Sequence, residues 1–123
     1  MISEADILLL HEFPIRDYGG AKEVRERNLL LSAISRPFQT FDGVDLYPDP
    51  FQKAAALGES LIINHPFLDG NKRTAFLAMA ALLLEYGFDL DVEKNELYEF
   101  ILDMSKGNKQ FSDIVEWLKN NCR

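Results

Sequence analysis

The strongest constraint in this chain is the run AFLAMAALLL, Ala75 to Leu84, ten consecutive apolar residues. At that length it cannot span a bilayer, which needs about 20 residues. A helix carrying it, from about Lys72 to Tyr86, is apolar all round for most of its length and belongs at the centre of a helical domain. Asn71 suits its N-cap and Gly87 the residue just past its end. The rest of the chain has to cover it. With 123 residues, 47% hydrophobic and 27% charged, the sequence fits a single domain, 1–123, with a real core. No repeat or low-complexity linker interrupts it.

Five further helices are expected. Ser3 caps the first, Glu4 to Phe13, with Ile7, Leu8 and Leu10 as its apolar residues and Pro14 as its end. Tyr18-Gly19-Gly20 is a turn, and a second helix runs from about Lys22 to Ser35. The segment RPFQTFDGVDLYPDP breaks helix; its Asp42-Gly43 pair between aromatic and β-branched residues predicts a short hairpin. Asp49-Pro50 starts a third helix that buries Phe51, Ala54, Leu57, Leu61 and Ile62. After the apolar helix, FDLDV is extended. Helices over Lys94 to Ser105 and Asp113 to Asn121, the latter capped by Ser112, close an all-α domain with one small hairpin.

Several function classes are disfavoured. A formal net charge of −7 is the opposite of a general nucleic-acid footprint. The opening MISEADILLL holds Glu4 and Asp6 without a lysine or arginine, unlike a signal peptide. One cysteine, Cys122, rules out a disulfide framework, and cytoplasmic residence is the default expectation, with no membrane association.

The apolar helix opens on HPFLDGNKR, His65 to Arg73. A helix start leaves backbone N–H groups unpaired and carries partial positive charge, so anions bind there. Here Asn71, Lys72 and Arg73 add an amide, an ammonium and a guanidinium that can grip phosphate with two bonds. Asp69 beside phosphates makes sense with Mg²⁺ between them. His65 is a candidate base for an attacking hydroxyl, Pro66 and Gly70 shape the turn, and Phe67 and Leu68 are expected to anchor it. The residues alone leave two readings open: transfer of a phosphate-containing group from a nucleotide, or an ordinary turn and cap.

The stretch HPFLDGNKRT resembles the signature of the Fic/Doc superfamily, roughly H-P-F-x-D/E-G-N-G/K-R-x-x-R. Lys72 stands where the Fic branch has a second glycine, and in this the chain is similar to the Doc (death on curing) branch. YGG, RERNLLLSAISRP and YPDPFQKAAAL extend the likeness over most of residues 1–90. The resemblance implies a compact Fic/Doc helical core with a hairpin flap, and a toxin of a toxin–antitoxin pair. Such a toxin uses Mg²⁺ and ATP to phosphorylate a threonine of elongation factor Tu and halt translation. By that likeness His65 would be the general base and Asp69 would hold Mg²⁺ or orient the nucleotide. Gly70, Asn71, Lys72 and Arg73 would bind phosphates. Phe38, Phe41, Val44 and Tyr47 of the segment Phe38 to Tyr47 would belong to the flap that docks the target as an added strand. Lys72 fills the room a Fic glycine leaves for phosphates, so the γ-phosphate rather than the α-phosphate would face the acceptor. The later Fic arginine falls near Ala75 or Phe76, which cannot replace it. Transfer of AMP, and a binding module without chemistry, stand as the alternatives.

Fic proteins often carry an inhibitory helix with a motif like S/T-x-x-x-E-G/N. Ser112 to Glu116 has its first part, but Trp117 follows, so inhibition is expected in trans from an antitoxin. His11, far from the loop in sequence, is expected at the surface or a helix end. His65 and Asp69 are too few ligands for zinc. Glu85, Asp89, Asp91, Glu93, Glu96, Glu99 and Asp103 around Lys94 read as a solvated face.

Overall fold

A computed structural model describes all residues, Met1–Arg123. Six helices and one two-stranded hairpin follow one another: α1 (Glu4–Tyr18), α2 (Arg27–Ser35), β1 (Thr40–Phe41), β2 (Val44–Asp45), α3 (Pro50–Asn64), α4 (Asn71–Glu85), α5 (Lys94–Ser105) and α6 (Phe111–Asn120). The architecture is all-α, as the sequence indicates. None of the helices is long and apolar enough to cross a membrane.

The central pair is α3 against α4. Ala54, Ala55, Leu57 and Leu61 of α3 and Ala75, Ala78, Met79, Leu82 and Leu83 of α4 are at most 1% exposed. Gly58 permits the close approach: a Cβ there would lie 2.3 Å from Met79 Sδ. Helix α1 lies on α4, α2 and α6 lie on α3, and α5 touches both α3 and α4. The cover of α4 is incomplete, since Leu84 is exposed. Its C-terminus closes as a Schellman turn, with Phe88 N–H bonded to Leu83 C=O and Gly87 N–H to Leu84 C=O, both 3.0 Å.

Helix α1 does not stop at Pro14 but continues to Tyr18. Proline removes one backbone bond, yet Pro14 and Ile15 are buried on the same stripe as Ile7 and His11. That packing favours one more turn. The second helix begins at Arg27 rather than Lys22, because the preceding residues pair with another stretch of backbone: Val24 bridges Phe67, and Arg25 and Glu26 N–H both donate to Pro66 C=O. A tight turn at Arg36–Phe38 follows α2.

The hairpin forms as expected, with Asp42 and Gly43 both at positive φ (52° and 76°), the twist a two-residue turn needs. Asp49 caps α3 by accepting Gln52 N–H at 2.8 Å. The cap of α6 differs from the sequence reading, which assigns none to α5. Gln110, not Ser112, is the N-cap of α6, its backbone N–H donating to the Asp113 carboxylate at 2.9 Å, and Glu93 caps α5 by accepting the N–H groups of Asn95 and Glu96. The acidic side chains around α5 are mainly exposed.

Candidate active site

The loop His65–Gly70 connects the C-terminus of α3 to the N-terminus of α4. Its first residue, His65, caps α3 in the left-handed conformation, φ 52° and ψ 55°. Its side chain is exposed and its imidazole makes no hydrogen bond within the protein. A ring held at a fixed Cα and free of partners is available to an incoming hydroxyl.

The turn rests on Phe67, which is fully buried; Leu68 is 48% exposed and does not share that anchoring. Phe67 is stacked on the imidazole of His11, with ring centroids 3.7 Å apart and planes 8° from parallel. His11 is therefore no surface residue. It is 3% exposed, and its Nε2 lies 2.8 Å from the carbonyl oxygen of Asp69, which can only accept, so Nε2 carries the proton. The sequence signal for this burial is spacing: His11 follows Ile7 by four residues and precedes Ile15 by four, on one helical stripe.

Asn71 is not the cap of α4. Gly70 occupies that position at φ 80°, and Asn71 is the first helical residue. Its buried amide reaches back across the turn, accepting Phe67 N–H at 3.0 Å and donating to Phe67 C=O at 2.9 Å. Its side chain thus holds the loop shut, and its backbone N–H is its remaining offering to a phosphate. That N–H and those of Lys72 and Arg73 have no acceptor within the protein, as the geometry of a helix start dictates. A Cβ at Gly70 would approach Ile15 Cδ1 to 3.4 Å and His11 Nε2 to 3.5 Å, so this residue is confined by α1 as well as by its dihedral angle.

Lys72 and Arg73 are exposed and pair with no carboxylate. The Arg73 guanidinium stacks over the Tyr18 ring, 3.9 Å from its centroid. Ala75 is fully buried and Phe76 partly so, which leaves no second arginine or substitute for it in the next turn.

Asp69 is exposed, and one carboxylate oxygen, Oδ2, accepts Ala21 N–H at 2.7 Å. Gly20 makes this approach possible: at φ 115°, a Cβ there would meet Asp69 Cβ at 2.9 Å. The other oxygen has no partner in the protein. No group of three His, Cys, Asp or Glu side chains comes together to hold a metal. One exposed carboxylate with a free oxygen is a donor that would fit a Mg²⁺ ion, which commonly takes one or two carboxylates besides phosphate oxygens.

The flap divides into two parts. Phe38 packs against the core and Tyr47 is held at the hairpin's base. The Tyr47 hydroxyl accepts from Arg36 Nε at 2.9 Å, and Arg36 also bonds Glu59 at 2.8 Å. Burial opposes the Arg36 charge, but Tyr47 and Glu59 outweigh it and raise its pKa. The buried Lys53 donates to Tyr47 C=O at 2.6 Å and to Asp45 at 3.3 Å. Phe41 and Val44, cross-strand partners, are 71% and 67% exposed and form the hairpin's free face. Glu116 on α6 is exposed, consistent with a solvated side chain. A cavity of about 130 Å³ lined by Glu59, Ile62, Met104 and Ile114 includes no residue of the loop.

The family model described as Fic/DOC family matches residues 1–83, from α1 into the last turns of α4. Among curated proteins, Toxin Doc of Mycolicibacterium smegmatis is 45% identical over 83 residues, which cover 64% of this chain and 64% of that relative. The match thus spans less than two thirds of the relative's length.

Proposed function

This chain belongs to the Fic/DOC family, and from that premise we propose that it is a Doc-like toxin of a toxin–antitoxin pair. It transfers the γ-phosphoryl group of ATP to a serine or threonine hydroxyl of a translation factor, elongation factor Tu, and so halts translation in the cytoplasm. The observation that carries this reading is the mouth of α4. Three N–H groups without a protein acceptor, two cations without a carboxylate and an exposed imidazole without a partner occupy one loop and the first helical turn.

In this mechanism His65 takes the proton of the acceptor hydroxyl as its oxygen bonds to the γ-phosphorus and the bond to the ADP oxygen breaks. The backbone N–H groups of Asn71, Lys72 and Arg73 bind the phosphate oxygens, with the Lys72 and Arg73 side chains supplying charge. Gly70 supplies the left-handed turn, φ 80°, from which these N–H groups reach the phosphates. Asp69 would hold Mg²⁺, which when bound would supply positive charge to the phosphates. Phe41 and Val44 offer an apolar face and a strand edge to the target, while Phe38 and Tyr47 hold the flap in place. Lys72 in the place of a glycine, with Ala75 and Phe76 after it, supports phosphoryl transfer over AMP transfer. The exposed Glu116 supports inhibition in trans by an antitoxin.

The test is the intact mass of elongation factor Tu after incubation with the protein, ATP and Mg²⁺, with His65→Ala as control. A gain of one phosphoryl group that the control lacks supports the proposal. A gain of one AMP refutes the role given to Lys72. A target effect that survives His65→Ala without any mass change points to binding alone.

A further inference from the structure

Residues Tyr18 to Glu26 run antiparallel to the loop and grip it along its length. Tyr18 stacks on Arg73, Ala21 N–H bonds Asp69, Leu68 N–H donates to Glu23 C=O (3.3 Å), and Val24 bridges Phe67. At the far end stands Arg25, an exposed side chain that pairs with no carboxylate. Its Nε donates to His65 C=O at 2.8 Å and a terminal nitrogen to Asn64 C=O at 2.9 Å. Its own backbone N–H donates to Pro66 C=O at 2.7 Å.

Three successive carbonyls, of Asn64, His65 and Pro66, are thus held by one residue. The Asn64 carbonyl lies in the peptide plane before the His65 Cα, and the His65 carbonyl in the plane after it. A rigid guanidinium fork bonded to both fixes the two dihedral angles between them. Those angles are left-handed, a conformation a histidine adopts only when its surroundings impose it. They also set the direction of the His65 Cα–Cβ bond. Arginine suits this place for a second reason, since a cation at a helix C-terminus faces unpaired carbonyls and partial negative charge.

We propose that Arg25 is the positioning residue of His65: it fixes the backbone of the base from outside the loop and never touches the reacting atoms. The proposal rests on His65 acting as the base in the reaction given above. Its test has two arms. The chain has 2 histidines, so selective isotope labelling yields two residues' signals, with the buried His11 as internal control. In Arg25→Ala the His65 Cα and Cβ shifts should leave left-handed values while those of His11 stay. In the transfer assay the same variant should lose roughly 10- to 100-fold in kcat, the scale of an ångström's misplacement, with KM for ATP unchanged. Added guanidinium ion should restore part of that rate, whereas Arg25→Lys, a point charge, should restore little. Unmoved His65 shifts, or a wild-type kcat in Arg25→Ala, overturn the proposal. A rate loss that guanidinium does not restore marks general damage and overturns it too. If the wild-type protein transfers nothing, the functional reading fails, and the histidine spectra decide by themselves whether Arg25 sets the His65 backbone.

Discussion

Removing the Asn71 amide is expected to weaken the fold at the loop before it affects any ligand. Phe67 is fully buried, and its N–H and C=O each bond Asn71. Asn71→Ala leaves both groups buried and without a partner. Each such loss costs about 1–3 kcal/mol, or about 2–6 kcal/mol for the two together. Set against the ~5–15 kcal/mol of a typical domain, the variant stays folded but is clearly weakened. In urea unfolding, a loss of about 3 kcal/mol at a slope of about 2 kcal/mol/M lowers the midpoint by about 1.5 M. Asn71→Asp sharpens the test. One carboxylate oxygen can still accept Phe67 N–H, but the other faces a carbonyl oxygen, which it repels. Only the protonated acid can donate there, so folding raises this group's pKa. The stabilising form is then present at low pH and lost as pH rises through the folded-state value. Asn71→Asp should be nearly as weak as Asn71→Ala at neutral pH and recover on acidification, a helix-start preference for negative charge offsetting only about 0.3–1 kcal/mol. An Asn71→Asp protein as stable as wild type at neutral pH would refute the argument, because the amide would then not be closing the turn.

Three further outcomes follow from other contacts. Gly58→Ala drives a Cβ into Met79 Sδ at 2.3 Å and should lose about 1–3 kcal/mol by thermal or urea unfolding; trimming Met79 to Ala should make the pair strongly non-additive, and simple additivity would show that the helices do not touch there. Lys53→Met keeps the side-chain stem but removes the donor to Tyr47 C=O and Asp45, so hairpin amides should exchange about tenfold faster or more, the equivalent of ~1.4 kcal/mol, while α4 amides hold; equal protection in the hairpin would refute the tether. Glu4 is held below the usual carboxylate range by its hydrogen bond from Arg27, Asp6 by Ser3, and Glu93 by the N–H groups of Asn95 and Glu96. The unfolded chain takes up those protons first, so the stability they contribute is present above the usual range and lost as pH falls through the folded values. Melting temperature followed from neutral to acid pH should drop there, and Arg27→Ala should flatten the Glu4 share; an unchanged pH profile in Arg27→Ala would refute it.

The parts of the fold legible in the sequence are those whose signals are local. Asp42-Gly43 specified its hairpin because both residues accept positive φ, and Asp49-Pro50 specified the start of α3 through one cap and one missing N–H. The extent of α1 was not legible, because the gain from burying Ile15 is a tertiary quantity that a proline rule does not contain. The stretch before Arg27 was misread for a related reason. Its polar, helix-compatible residues carry no sign that their N–H groups go to Pro66, forty residues away in the chain. Glu93 carries no local cap signal because its side chain is longer than the short oxygen-bearing ones preferred at such positions, and Gln110 carries none because its bond runs from its backbone N–H to Asp113.

The candidate site divides along the same line. Its reactive groups are contiguous from His65 to Arg73 and could be read directly. What shapes them is contributed from elsewhere: His11 beneath the turn, Gly20 and Ala21 at Asp69, Tyr18 under Arg73 and Arg25 behind His65. Asn71 shows why the local reading could not reach further. One residue before the helix, its amide would have capped the first turn. One residue inside it, with Gly70 left-handed, the same amide points back four residues and closes the loop on Phe67. The N–H groups at the start of α4 are therefore left without a side-chain cap by a choice of register, and the residue best suited to cap them is tied to the turn instead. A helix start whose natural cap is diverted in this way is kept in shape without a ligand and keeps its donors for one.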